Sequence, residues 1–255
     1  MSRFAAVFAC CLLLSAPAAA IVGGAPTVAG DAPRHTVMIL GSRGTFCTGT
    51  AVARDILLTA AHCVTPDAVY KFLDFDAAHK PLLRDVARIA RHPQFSQQTF
   101  DANRATPDIA VLKLAQPLPA DIVPVALGVT RGRVAVGDAF VILGYGVSIR
   151  GDGKSSGTLR RAGLIAAGVP GNLQIRLVDP STKGESPGLG ACTGDSGGPV
   201  FQESGGPLSL FGVLSWSTGP KAGDGCGGFT GVTPLELYRS WVVGTARKMG
   251  STLGP

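Results

Sequence analysis

Three short segments carry residue types that could perform acyl transfer together. "LTAAHC" closes an apolar run with His62 and Cys63, and "PDIAVLKL" opens another with Asp108. "CTGDSGGP" holds Cys192, Gly194, Asp195, Ser196, Gly197, Gly198 and Pro199. A serine hydroxyl is too weakly acidic to ionise near neutral pH, so it becomes a nucleophile only beside a general base. Imidazole is the side chain whose ordinary pKa lies nearest neutrality. A carboxylate on its other nitrogen selects the tautomer and stabilises the imidazolium that forms. Glycines beside the serine let the backbone turn sharply and aim N–H groups at a developing oxyanion. Singly, each segment has a plain structural explanation: a strand-end histidine, a turn aspartate, a glycine turn. Their co-occurrence points to Ser196 as nucleophile, His62 as base and Asp108 as the orienting acid.

The flanking sequence must bring these residues together, and it reads as short strands. The 255 residues include 35 Gly and 18 Pro, well spread, with 45% hydrophobic and 16% charged residues. That turn chemistry favours many strands over a helical bundle, and the low charge argues against disorder. No run reaches the roughly 18 apolar residues of a membrane-spanning helix, so stable membrane insertion is not expected. Strands are expected at His35–Leu40, Phe46–Ala53, Ile56–Thr59, Arg84–Arg91 and Ile109–Leu114. After the proline-rich join "QPLPADIVP" a second set follows at Ala139–Tyr145, Gly157–Leu164, Gln174–Val178, Leu208–Ser215 and Phe229–Thr233. Two β subdomains result, about 21–120 and 121–250. In the tail, Leu235, Tyr238, Trp241, Val242, Thr245 and Met249 fall near helical spacing. Thr233 suits the N-cap of that helix, Pro234 its first position and Gly250 its stop.

Residues 1–20 read as a secretory signal peptide: Arg3, the apolar run Phe4–Leu14, then Ala18-Ala19-Ala20. Export would place the mature chain, whose folded domain is expected over 21–250, in an extracellular or periplasmic compartment. It also leaves four cysteines, Cys47, Cys63, Cys192 and Cys226, an even number that implies disulfides. Four cysteines allow three pairings. A zinc site is disfavoured, because no two of them form a C-x-x-C pair. The net charge of +6 includes no dense basic run interleaved with aromatics, so a nucleic-acid partner is not expected.

The motifs "IVGG", "LTAAHC", "DIAVLKL", "CTGDSGGPV" and "LSW" occur in that order from Ile21 onward. With them the chain resembles the trypsin-like (chymotrypsin-fold) serine endopeptidases over nearly its whole mature length. The resemblance implies an all-β fold, two six-stranded antiparallel β-barrels with a C-terminal α-helix. It implies roles for His62, Asp108 and Ser196, and an oxyanion hole from the N–H groups of Gly194 and Ser196. Ser215 in "LSW" would support Asp108. The disulfides would be Cys47–Cys63 and Cys192–Cys226. The free amino group of Ile21 would pair with Asp195, and Ala20 abuts Ile21, so signal cleavage could itself create that terminus. A protein or peptide substrate, a monomer and no cofactor are implied, with a protein inhibitor as a further partner class.

The chain departs from the family pattern in its substrate pocket. Gly190 stands at the pocket base, six positions before Ser196, and Ser217 replaces a usual glycine. Together with Ser215, Trp216 and Gly228 they describe a roomy uncharged pocket. Cleavage is therefore expected after Phe, Tyr, Leu or Met rather than Lys or Arg. Asp224 and Glu185 are the carboxylates that could reverse that preference. Tyr145 in "GYG" replaces a common family tryptophan, an exchange that says little about activity. Asp74 and Asp76 lie in a loop that binds calcium in some members, but no spaced glutamate pair accompanies them, so no metal is expected. The competing function is a catalytically silent binding protein on the same scaffold, against which the retained triad, Gly194 and Asp195 speak. "GDSGG" also matches the G-x-S-x-G elbow of α/β-hydrolases, but the order His, Asp, Ser differs from theirs.

Overall fold

Turn-bounded apolar segments pair into two closed sheets in the computed structural model, which describes residues 21–28, 34–76, 78, 80–128, 133–168, 173–203 and 209–253. The expected signal peptide lies outside the described residues. Six strands build the first barrel: β1 (Thr36–Gly41), β2 (Phe46–Ala53), β3 (Ile56–Thr59), β4 (Tyr70–Phe75), β5 (Pro81–Arg91) and β6 (Ala110–Leu114). They close in the order β1-β2-β3-β6-β5-β4. The pairing that matters for chemistry is β3 with β6, which sets Thr59 opposite Ala110. It brings the end of the strand before His62 to the start of the strand after Asp108. Val37, Ile39, Leu57, Tyr70, Phe72 and Leu112 fill this barrel.

The second half contains β7 (Ala126–Leu127), β8 (Ala139–Gly144), β9 (Arg160–Ala166), β10 (Ile175–Val178), β11 (Pro199–Gln202), β12 (Ser209–Ser217) and β13 (Thr230–Pro234). Strands β8-β9-β10-β13-β12-β11 form a ring that the β11–β12 pairing closes, and β7 adds in parallel to β12. Phe140, Ile142, Leu164, Leu177, Val200 and Val232 fill it, together with Ile21. Two six-stranded barrels and a C-terminal helix are thus the architecture, as the family resemblance implied.

Among the described residues two α-helices complete the fold: α1 (Gln97–Asp101) and α2 (Arg239–Lys248). Neither is long and apolar enough to cross a membrane, nor is any other helix among the described residues. Helix α2 buries Val242 and Ala246 in a third cluster shared with Ile56, Leu58, Ile109 and Val111 of the first barrel and Leu210 and Val213 of the second. Arg88 donates to the Met249 carbonyl and Lys113 to the Ser251 hydroxyl, so the chain end is strapped across the first barrel. The helix begins five residues later than its capping signals suggest. Thr233 and Pro234 belong to β13, opposite Val213 and Gly212. A buried ladder outweighs local capping propensity there. Gly250 ends the helix as expected, with φ +78° and its N–H on the Arg247 carbonyl.

Candidate active site

His62 sits on a single helical turn, Ala61–Cys63, directly after β3. The Cys47–Cys63 disulfide ties that turn to β2. Asp108 lies just before β6 and is fully buried. Its two oxygens accept three hydrogen bonds: Oδ1 from the His62 N–H at 2.9 Å, and Oδ2 from His62 Nδ1 at 2.7 Å and Ser215 Oγ at 2.6 Å. A carboxylate can only accept, so Nδ1 carries the proton and Nε2 is left to accept one. The opposite face of the imidazole is covered by Phe100 of α1, stacked at 4.5 Å with a 15° tilt. Ser96 caps that helix by accepting the Thr99 N–H.

Gln174, just before β10, fixes the direction of this network. The indole Nε1 of Trp216 can only donate, and Gln174 Oε1 accepts from it at 2.9 Å. The amide NH₂ therefore faces Ser215 Oγ, at 3.4 Å. With its lone pair so engaged, Ser215 turns its own hydrogen to Asp108. Donor polarity is set in one sense from indole to imidazole. Sequence reasoning missed Gln174 and Phe100, because nothing local marks residues whose partners lie 42 and 38 positions away.

The Ser196 loop is held by both barrels. Thr48 of β2 gives its N–H to the Ser196 carbonyl and its hydroxyl to the Gly194 carbonyl, each at 2.8 Å. The Gly197 N–H reaches the Leu214 carbonyl of β12 at 2.7 Å. A side chain at Gly197 is excluded twice over, by φ +80° and by Thr59 Oγ1, 2.1 Å from where its Cβ would lie. Among the described residues, the N–H groups of Gly194 and Ser196 donate no hydrogen bond within the protein. Ser196, Gly194 and His62 line one cavity of about 390 Å³. Ser215, Trp216 and Ser217 share that lining, and no carboxylate does so among the described residues.

Gly190 and Gly228 lie outside the lining of that cavity, which Ser215, Trp216 and Ser217 share. Gly190 bridges Val22 and lies against Gly227, and the Gly219 carbonyl sits 1.9 Å from the Cβ position of Gly228. A side chain at Gly228 would strike the Gly219 backbone, and one at Gly190 would press on Gly227 and Thr230. The Cys192–Cys226 disulfide forms as the family resemblance implied. Asp224 lines a neighbouring cavity, and Glu185 lines neither.

Asp195 is fully buried, and burial pushes its carboxyl up to about 7, against the lowering effect of the Cys192 and Gly146 N–H groups it accepts, both at 2.8 Å. Side chains at Gly144 or Gly146 would strike this carboxylate, with Cβ positions 2.0 and 2.6 Å from Oδ1. The "GYG" motif is therefore the cradle of Asp195, and its glycines matter more than the tyrosine. Ile21 is fully buried, and Val22 leads past Gly190.

No thiolate is available beside His62, because Cys47 and Cys63 share a disulfide. Asp74 is engaged by Arg34 at 2.9 Å and Arg84 at 2.8 Å. Burial opposes its ionisation, but Arg84, the Phe75 N–H and Arg34 outweigh it and hold its carboxyl below the usual range. Asp76 accepts the N–H groups of Ala78 and Lys80. Both carboxylates of the suspected calcium loop are committed to protein donors.

The chain matches the family model described as Trypsin over residues 21–242. It is 33% identical over 236 residues to the vitellin-degrading protease of Bombyx mori, covering 87% of this chain and 84% of that protein. It is 29% identical over 247 residues to vitamin K-dependent protein C of Mus musculus, covering 87% of this chain and 51% of that one. Transmembrane protease serine 9 of Rattus norvegicus is 31% identical over 242 residues, with 88% of this chain but 22% of the relative covered. The chain thus spans about half or less of the length of these last two. Among solved structures, that of HBP superposes with a TM-score of 0.69 over 92% of this chain and 100% of the other, at 19% identity, a likeness of fold.

Proposed function

Because the chain belongs to the trypsin family and is a serine-type endopeptidase, we propose that Ser196, His62 and Asp108 carry its chemistry through an acyl-enzyme. Ser196 Oγ attacks the scissile carbonyl while His62 Nε2 takes its proton. Asp108 holds Nδ1–H and stabilises the imidazolium. The N–H groups of Gly194 and Ser196 receive the oxyanion. His62 then protonates the leaving amine, and water releases the acyl group from Ser196 by the reverse proton path. The observation that carries this reading is the three-donor grip on Asp108, which fixes the one imidazole tautomer able to act as base.

The same reading includes a secreted chain, activated when the amino group of Ile21 is freed to pair with Asp195. It also includes cleavage after apolar residues. Leu214, Trp216, Ala191 and Phe46 line the cleft, and a Lys or Arg side chain would meet no carboxylate among its described lining residues. The test uses protein beginning at Ile21 on a peptide library varied at the residue before the cut, with Ser196→Ala beside it. Ser196-dependent cleavage after Phe, Tyr, Leu or Met is expected. A preference for Lys or Arg would overturn the neutral pocket and keep the enzyme.

Gln174→Glu supplies a second expectation. A carboxylate there accepts from both Trp216 and Ser215, so the Ser215 hydrogen leaves Asp108. Asp108 then loses a donor and gains a negative neighbour, and both favour the imidazolium. The acid limb of the kcat/KM profile should move to higher pH, with kcat lowered about fivefold, the worth of roughly one hydrogen bond. Gln174→Met, which adds no charge, should move the limb less. An unchanged limb in the Glu variant would reduce Gln174 to packing.

A further inference from the structure

We propose that Thr48 is a positioning residue for the oxyanion hole, its hydroxyl acting through the peptide that separates the two donors, a role that rests on the endopeptidase reading above. Those donors are the N–H groups of Gly194 and Ser196, which belong to the peptides Thr193–Gly194 and Asp195–Ser196. A trans peptide is planar, and its N–H points opposite to its carbonyl. Holding the carbonyl therefore aims the N–H. The Thr193 carbonyl accepts the Val147 N–H and the Asp195 carbonyl accepts the Gly198 N–H, both at 2.9 Å.

Between those two planes lies the Gly194–Asp195 peptide. Its N–H donates within the loop, to the Cys192 carbonyl at 3.0 Å. Its carbonyl accepts from Thr48 Oγ1 at 2.8 Å, and among the described residues no other donor reaches it. Gly194 has φ +95°, and with no Cβ nothing in its own side chain resists rotation of this peptide. Among the described residues, the Thr48 hydroxyl is the one hold on the peptide that comes from outside the loop.

The polarity of this hydroxyl is defined. The Tyr145 N–H can only donate, and it lies 3.2 Å from Thr48 Oγ1. The hydroxyl accepts there and gives its hydrogen to the Gly194 carbonyl. The next N–H of the same turn, that of Gly146, goes to Asp195 Oδ1. Thr48 thus couples the cradle of the Asp195 side chain to the peptide that leads into Asp195. Its own place is fixed: the residue is fully buried, its N–H holds the Ser196 carbonyl and its carbonyl accepts the Thr59 hydroxyl, both at 2.8 Å. Its neighbour Cys47 is joined to Cys63, the residue after His62. One stretch of β2 therefore registers the oxyanion donors against the base. The plain alternative is a hydroxyl that only satisfies two buried backbone groups, whose loss appears in stability alone.

Thr48→Val and Thr48→Ala both remove the hydroxyl, the first keeping the volume and the second placing no extra methyl beside Gly194. Thr48→Ser keeps the hydroxyl. Thr50→Val is the control on the same strand, because Thr50 Oγ1 is buried with no hydrogen-bond partner among the described residues. Urea midpoints establish which variants are folded at the assay temperature. In protein beginning at Ile21, loss of the Thr48 hydroxyl should lower kcat about 10- to 100-fold with KM changed less than about twofold, short of the roughly 10²–10³ that deleting a whole oxyanion donor costs. A peptidyl trifluoromethyl ketone, whose hemiketal oxygen takes the hole, should lose affinity by the same factor as kcat/KM. Thr48→Ser should stay within about threefold of the parent, and Thr50→Val should match it. A folded Thr48→Val or Thr48→Ala with kcat within about threefold of the parent, an equal loss in Thr48→Ser, or an unmoved ketone affinity would overturn the proposal. ¹⁵N relaxation dispersion on Ser196→Ala protein reads the loop without turnover. Adding Thr48→Val should raise μs–ms exchange at the Gly194 and Asp195 amides. That rise in a protein that cleaves nothing would keep the clamp while the proposed chemistry fails, and amides unaffected by the change would overturn the clamp whatever the activity.

Discussion

Asp108→Asn is expected to lower kcat about 10⁴-fold, the scale set by loss of the orienting carboxylate in the Ser-His-Asp mechanism. Asp108 is met by three donors: the His62 N–H, His62 Nδ1–H and the Ser215 hydroxyl. An amide has one accepting oxygen and one donating nitrogen: with the nitrogen in the Oδ2 position the His62 Nδ1–H and Ser215 contacts both become donor against donor, and in the Oδ1 position the His62 N–H contact does. The imidazole can relieve the clash by moving its proton to Nε2, and Nε2 then cannot accept from Ser196. The change keeps the volume of the buried group, so unfolding should shift far less than activity. Single-turnover kinetics with a chromogenic ester, run beside a denaturant titration, would measure both. A loss below tenfold in a folded variant would show that His62 does not need Asp108.

An Ala-Ala extension before Ile21 should lower kcat/KM by about 10² to 10³. The ion pair proposed between the Ile21 amino group and Asp195 cannot then form, and breaking such buried pairs costs about 3–5 kcal/mol. Stability should report the same event with a definite sign. In the chain with residues preceding Ile21, Asp195 titrates near 7 when folded, against about 3.9 for an ordinary aspartate. Between those values the folded state holds a proton that the unfolded state has released. The contribution of Asp195 to stability is therefore greatest below about pH 4 and is lost as pH rises toward 7. Protein that begins at Ile21 brings an ammonium to the carboxylate, and its stability should decline less across that window. Urea midpoints at pH 5 and 7.5, taken on Ser196→Ala to prevent self-cleavage, compare the two forms. Parallel declines would remove the Ile21–Asp195 pair from the account. N-terminal sequencing of active exported protein bears on processing: a start at Ala19 would rule out direct activation by signal cleavage.

The proposed triad could be named from the sequence because it combines three unlike residue types in segments whose apolar flanks read as strands, and the structure brings His62 to Asp108. β2 and β3 coincide with their expected bounds, since "FCTGTAVA" and "ILLT" are apolar and bounded by turns. β4 was missed because Lys71 and Asp74 break its pattern. Asp74 is nonetheless buried, its charge met by Arg34 and Arg84 from elsewhere in the chain. β11, four residues directly behind "GDSGG", has no length to display alternation. The helix start was misplaced because Thr233-Pro234 looks like a cap locally, while pairing with β12 claims both residues. Pocket shape was the least legible feature. Gly190 and Gly228 suggest open space by residue type, and the close approach of Gly227 to the first and of Gly219 to the second is set by the path of distant backbone.

Covalent labelling of Ser196 tests the central claim most directly. Protein beginning at Ile21 would be treated with an aryl- or alkylphosphonofluoridate, digested and mapped by mass spectrometry. One phosphonyl group per chain, on the peptide containing Ser196, is expected. It should be absent from Ser196→Ala and strongly slowed in His62→Ala. A folded protein that takes up no label, or takes it up with equal speed without His62, would contradict the acyl-enzyme reading and return the chain to a binding role on the same scaffold.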